Sequence, residues 1–374
     1  MRKVKKRKMN YQKTLKLIIP LIFIITIFLF RKPIITFYQS KVTGYPMDTI
    51  EVFNELNIYK DIKEYPYSDT LNYIVKTEYY NPKYLNDYLS IDYQTKENYF
   101  PEINQLLTLG YSANEINAIY TSLNDQSITL LTTNEYLKDI YTILNLSYFH
   151  EENLERYLKY NQGKELNYED LITYVNAQLD YKYYTNVINI ENPKDITVLV
   201  NKYHKLSSSY IPEDLETIST KYNKGYNNKL RHVAKVAFES MCEAALKENI
   251  KIYSGSAYRS YNYQQDLYNR YVATNGFNEA ETFSARAGYS EHQTGLATDI
   301  MNAKVDYISK NDKEYTWLIN NSYKYGFILR YPEGKENITG YMFEEWHFRY
   351  VGIDIATTLS KLGLTYDEYV ARNW

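Results

Sequence analysis

The chain has 374 residues, 44% of them apolar and 24% charged, with a mean hydropathy of −0.54. That apolar share excludes a disordered chain, and the negative hydropathy excludes a polytopic membrane protein. A single cysteine, Cys242, closes no intrachain disulfide and builds no thiolate zinc site, and such usage suits an extracytoplasmic protein.

Residues 1–16 carry eight of the 43 basic residues and no acid, so the remaining 35 basic and 45 acidic residues leave the rest of the chain at −10. The basic cluster runs straight into the apolar stretch Leu17 to Phe30. Cations followed by an apolar run follow the pattern of an export signal or anchor, which argues against nucleic acid as the partner. Extended from Leu15 to Ile35, with Arg31 and Lys32 snorkelling, the run reaches 21 residues, enough for a bilayer core of roughly 30 Å. No small-residue cleavage site follows Phe30. The expectation is a basic cytoplasmic segment over 1–16 and an uncleaved, single-pass signal anchor over 17–35. A cleaved signal peptide would keep the compartment and lose the tether.

Residues 36–50 are expected to form a connector, and 51–185 a helical, repeat-like region rich in Tyr, Leu, Asn, Glu and Lys. Ser112-Ala-Asn-Glu115 has the form of a capping box, with Ile116, Ile119, Tyr120 and Leu123 at helical spacing behind it. Asn167 stands where a second helix would be capped. Tyr79 to Leu89 is echoed at Tyr148 to Leu158, with Tyr at the first and tenth places and Leu at the seventh and eleventh. The tyrosine excess, 45 residues against 13 Phe and 3 Trp, reads first as compositional bias and second as a sugar-binding surface.

Near residue 195 the texture changes. Val198–Val200 reads as a short strand, Leu230 to Lys247 as an amphipathic helix, and Ile250 to Tyr253 as a strand ending at Ser254-Gly255-Ser256. Strands and loops follow to Val351, with a final helix from about Ile353. The expected fold over 195–374 is α+β, a small antiparallel sheet with flanking helices.

The five histidines separate by context. His150, His204 and His232 lack partners at ligand spacing and read as structural or solvated. Ser290-Glu-His-Gln-Thr-Gly-Leu-Ala-Thr-Asp299 places a histidine and an aspartate seven apart, with Gly295 allowing a sharp turn between them. A carboxylate in so apolar a segment is costly unless paired or metal-bound. Glu344-Glu-Trp-His347 adds a second histidine. Two histidines and a carboxylate can hold a catalytic zinc with an open position, although unrelated core histidines would give the same spacing. Arg259, in Ser256-Ala-Tyr-Arg-Ser-Tyr, can grip a carboxylate through two parallel hydrogen bonds or serve in a structural ion pair.

Together these pieces, with Ser284 to Ser290 and Tyr325 to Pro332, resemble the VanY-type zinc D-alanyl-D-alanine carboxypeptidases, which share the hedgehog/D,D-peptidase fold. The resemblance spans roughly 195–360. It implies one zinc ion on His292, Asp299 and His347, with Glu344 as general base. It further implies Arg259 holding substrate or stabilising the oxyanion, and Gln264 and Ser290 lining the pocket for the substrate's carboxylate. The implied reaction removes the terminal D-alanine of a peptidoglycan stem peptide, outside the bacterial cell membrane. Two positions depart from the pattern: Glu345 and Ala287 stand where the family usually has proline. In a regular strand Glu345, not Glu344, would share a face with His347. An L,D-carboxypeptidase or endopeptidase of the same fold, and a catalytically inactive wall-binding protein, remain open at this point.

Overall fold

The computed structural model describes residues 11–164, 166–226 and 228–373. Six of the eight cations expected at the cytoplasmic end, Arg2 to Lys8, lie outside the described residues. A helix of 33 residues, Tyr11–Thr43, runs through the apolar stretch and on through the first half of the expected connector. Its portion Ile19–Thr43 is long and apolar enough to cross a membrane. Ile19, Phe23 and Leu29 stay largely exposed, as side chains facing lipid would.

The chain divides into two compact units, Met1–Asn145 and Leu146–Trp374. The first is helical from Met47 onward among its described residues. The capping box forms with both arms: Glu115 N donates to Ser112 Oγ at 3.4 Å, and Ser112 N donates to Glu115 Oε2 at 2.8 Å. Ile116 and Ile119 behind it are fully buried. Several tyrosines are core residues here. Tyr45, Tyr88, Tyr99 and Tyr111 are at most 2% exposed. Their hydroxyls are satisfied: Tyr45 and Tyr111 accept from the amides of Ser68 and Leu137, both at 2.9 Å. A buried tyrosine combines a large apolar ring with a polar tip that must find a partner. Part of the excess is thus packing material.

The two echoed segments adopt one local conformation. Pro82–Tyr84 is a 3₁₀ turn leading into helix Leu85–Tyr88, and Glu151–Asn153 leads likewise into Leu154–Asn161. The entry residues Asn81 (φ −121°, ψ 113°) and His150 (φ −118°, ψ 111°) match, and Tyr88 and Tyr157 are both fully buried.

In the second unit, helix Tyr168–Asn176 is capped by Asn167, whose Oδ1 accepts from Asp170 N at 2.8 Å. Asn176 Nδ2 donates to the Ala371 carbonyl, tying this helix to the C-terminal helix Tyr366–Asn373. The centre is an antiparallel sheet of four strands: β1 (Tyr253–Ser256), β2 (Ala297–Met301), β3 (Phe327–Leu329) and β4 (His347–Tyr350), in the order β1-β2-β4-β3. The pleat sorts the residues. Ile300 and Phe348 point into a core with Phe238 and Met241 of helix His232–Lys247 and with Leu318 of helix Lys313–Asn321. The alternate positions Asp299 and His347 point to the other face and stand directly opposite each other in the β2–β4 register.

Val198–Val200 forms no strand, contrary to its composition. Val198 and Val200 are buried beside Leu206, and the Ile196 and Val198 carbonyls accept from the Arg349 guanidinium instead of a ladder. The helix expected from Leu230 begins at His232, because Lys229–Arg231 pairs with Leu215–Thr217 as a two-stranded ribbon.

Candidate active site

Three segments meet on the outer face of the sheet. His292 sits in the 3₁₀ turn Glu291–Thr294, which Gly295 ends at φ +68°. A Cβ there would lie 2.7 Å from Leu215 Cδ2, so both the backbone conformation and the space favour glycine. The chain then enters β2 and delivers Asp299. β4 delivers His347 beside it.

Asp299 Oδ1 is the focus. It lies 3.4 Å from His292 Nε2 and 3.2 Å from His347 Nδ1. The three residues are buried, and their donor atoms lie within 4.8 Å of one another, the one such cluster among the described residues. Despite these approaches Asp299 Oδ1 has no hydrogen-bond partner. The far sides of the rings explain why. His292 Nδ1 is 2.7 Å from the Ala257 carbonyl and His347 Nε2 is 3.3 Å from Glu291 Oε2, so each ring has an acceptor for its proton on the side away from Asp299. With those protons outward, two imidazole lone pairs and a carboxylate oxygen would converge as a set that could hold a metal ion, and the donor chemistry suits zinc.

The electrostatics agree. Burial, and next Arg259, lower the His292 pKa to about 4. Burial would raise the Asp299 carboxyl, but His292 and Arg259 reverse this and hold it well below its ordinary value. Burial would lower His347, yet the Asp299 and Glu291 carboxylates on either side of the ring prevail and carry it to about 9, a proton that a bound cation would replace.

Glu344 stands beside this cluster, with Oε2 3.5 Å from His347 Nδ1, and burial raises its pKa to about 7. The adjacent carboxylates separate because 344–347 is a turn, not a strand: His347 N donates to the Glu344 carbonyl at 3.3 Å. Glu344 is 7% exposed and lines the cleft, whereas Glu345 is half-exposed and does not.

Arg259 also lines the cleft, but its guanidinium is engaged. Nη2 donates to Asp299 Oδ2 and Nε to Ser256 Oγ at 3.0 Å. It thereby fixes the outer oxygen of Asp299 and leaves Oδ1 to the cluster. Gln264 donates through Nε2 to the Ala285 carbonyl at 2.8 Å, and its Oε1 is buried in the cleft wall without a partner. Ser290 is buried in the same wall. The other histidines lie elsewhere: His204 Nδ1 contacts Asn201 Oδ1 at 2.9 Å, His232 Nδ1 contacts Glu216 Oε1 at 2.7 Å, and His150 stands 3.8 Å from Glu152. Sequence reasoning passed over Glu291 and Tyr331. Burial would raise the Glu291 carboxyl, but Arg330 and Arg349 hold it well below the usual range. The Tyr331 ring packs 4.9 Å from that of His347. Both residues fall inside motifs already noted, so position in the motif was the only signal.

Residues 227–353 match the family model for D-alanyl-D-alanine carboxypeptidases, VanY. A relative described as "Putative carboxypeptidase YodJ", from Bacillus subtilis (strain 168), is 37% identical over 197 residues, 51% of this chain and 72% of that protein. The bifunctional D-Ala-D-Ala dipeptidase and D-Ala-D-Ala carboxypeptidase VanXYC of Enterococcus gallinarum is 33% identical over 177 residues, 46% of this chain and 91% of that protein. Among solved structures, the LdcB LD-carboxypeptidase is 36% identical, with a TM-score of 0.47 over 51% of this chain and 92% of its own. The chain belongs to the VanY family of D-alanyl-D-alanine carboxypeptidases.

Proposed function

We propose that the protein is a zinc-dependent D,D-carboxypeptidase that removes the terminal D-alanine from peptidoglycan stem peptides, acting from a single-pass membrane anchor with its second unit outside the cell. The observation that carries this is the convergence of His292 Nε2, Asp299 Oδ1 and His347 Nδ1 on one buried point beside Glu344 in an open cleft.

In this reading His292, Asp299 and His347 hold the ion. Zinc bound there would supply Lewis acidity to activate a water and to polarise the scissile carbonyl. The chain's own residues do the rest. Glu344 takes the proton of the attacking water and returns it to the leaving amine. Its pKa, raised by burial to about 7, suits a group that must both accept and release a proton near neutrality. Arg259 holds Asp299 in place and sets a positive charge at the cleft, where it favours the negative charge that develops on the carbonyl oxygen. Gln264 Oε1 and Ser290 serve the end of the substrate: an unpaired buried acceptor suits an amide N–H, and a hydroxyl suits a carboxylate. We assign the carboxypeptidase domain to 195–374 and the span to 17–35.

The test is mass spectrometry of defined stem peptides incubated with the zinc-loaded full-length chain. Release of one D-alanine from the pentapeptide supports the proposal. Activity on the tetrapeptide alone would move the assignment to L,D specificity, and cleavage within cross-linked stems would move it to an endopeptidase.

A further inference from the structure

We infer that Glu291 is a positioning residue that fixes His347 as an Nδ1 ligand by accepting the proton on the ring's other nitrogen. This rests on the reading of His347 as a metal ligand. Glu291 is 1% exposed, and its Oε2 lies 3.3 Å from His347 Nε2, across the ring from the 3.2 Å approach of Nδ1 to Asp299 Oδ1. A neutral imidazole carries one N–H. Given to Glu291, it leaves the lone pair on Nδ1, facing Asp299 and Glu344.

A carboxylate this deep needs compensation. Glu291 Oε1 accepts from Arg330 Nε at 2.8 Å and from Arg349 Nη1 at 2.9 Å. Arg330 in turn donates to both oxygens of Asp367, at 2.6 and 3.2 Å, in the C-terminal helix. Arg349 donates to the Ile196 and Val198 carbonyls. Arg349, Glu291, Arg330 and Asp367 therefore form one chain of ion pairs, and the acceptor for His347 cannot swing away without breaking two of them. His292 is held differently, by the neutral Ala257 carbonyl at 2.7 Å from Nδ1. The two histidines thus have opposite tautomers, and His347 alone has an anionic acceptor, which makes its lone pair the stronger donor.

The test uses the zinc-loaded full-length chain in detergent, with histidine labelled in ¹⁵N. The expected spectrum has two zinc-dependent rings, one bearing Nδ1–H (His292) and one bearing Nε2–H (His347), the latter proton downfield and slow to exchange. Zinc affinity is read in parallel by competition with a chromophoric chelator. Glu291→Gln keeps the shape and removes the charge. It should weaken zinc about 10–100-fold and speed exchange of the His347 N–H. A folded Glu291→Gln chain with wild-type affinity and exchange overturns the inference, as does Nδ1–H on His347 in the wild type. If the variant fails to fold, the wild-type ring proton decides: slow exchange supports the inference and solvent-rate exchange overturns it. His347→Ala keeps the two readings apart. Wild-type zinc affinity in that variant removes His347 from the ligand set. Its loss, with Glu291→Gln unaffected, removes only the role of Glu291.

Discussion

Two neighbouring glutamates show how far residue types carry the argument and where geometry takes over. Glu344 and Glu345 have the same chemistry, and on an extended strand the second would face His347. The turn at 344–347 reverses this and buries Glu344 beside the ligand cluster. Glu344→Gln should therefore lower kcat by roughly 10²–10⁴-fold with zinc still bound, while Glu345→Gln keeps most activity. Steady-state kinetics with metal content check this, and the reverse pattern would shift the base by one residue. A second residue-scale case is Lys202, buried with its Nζ 4.5 and 4.6 Å from the Tyr183 and Tyr341 ring centres. Burial lowers its pKa from 10.5 to about 8. Between those values the folded chain binds fewer protons at this site than the unfolded chain, so folding gains stability as pH rises. In urea titrations, the stability gap between wild type and Lys202→Met should move towards wild type across that window. A constant gap would contradict the shift. The metal-ligand candidates were legible because one short motif carries His292 and Asp299. Glu291 was not, because its meaning depends on Arg330 and Arg349, 39 and 58 residues further on.

At the scale of elements, the strand β2 and the turn before it do most to shape the site. Asp299 and His347 meet because antiparallel register pairs them, and the pleat sends Ile300 and Phe348 to the core. Gly295 makes the approach possible. Gly295→Ala places a Cβ 2.7 Å from Leu215 Cδ2 at φ +68° and should destabilise the fold by about 1–3 kcal/mol, measured by urea denaturation. An unchanged midpoint would show that the turn adjusts. Local signals did well where the chemistry is local: the Ser112–Glu115 box and the Asn167 cap both form. They failed at Val198–Val200, where the apolar run suggested a strand and a distant arginine takes the carbonyls instead. The start of helix His232–Lys247 was misread for a related reason, since the ribbon at Lys229–Arg231 depends on a partner strand at Leu215–Thr217.

For the whole molecule, one helix is long and apolar enough to cross a membrane and the cleft bears the candidate ligand cluster, and the proposed function joins them as a membrane-tethered wall enzyme. The full-length chain should fractionate with membranes, with its second unit open to protease added outside intact cells. A mature N-terminus found near residues 35–45 would instead mean secretion. Zinc bound only by the folded state adds stability by mass action, so a chelator should lower the melting temperature of the wild type but not of Asp299→Ala. The measurement closest to the central claim is the mass of a stem pentapeptide after incubation with the purified full-length chain, with and without zinc. The account predicts a product lighter by one alanine, formed only with zinc and lost in Asp299→Ala. An unchanged pentapeptide with zinc bound, or equal turnover by Asp299→Ala, would contradict it.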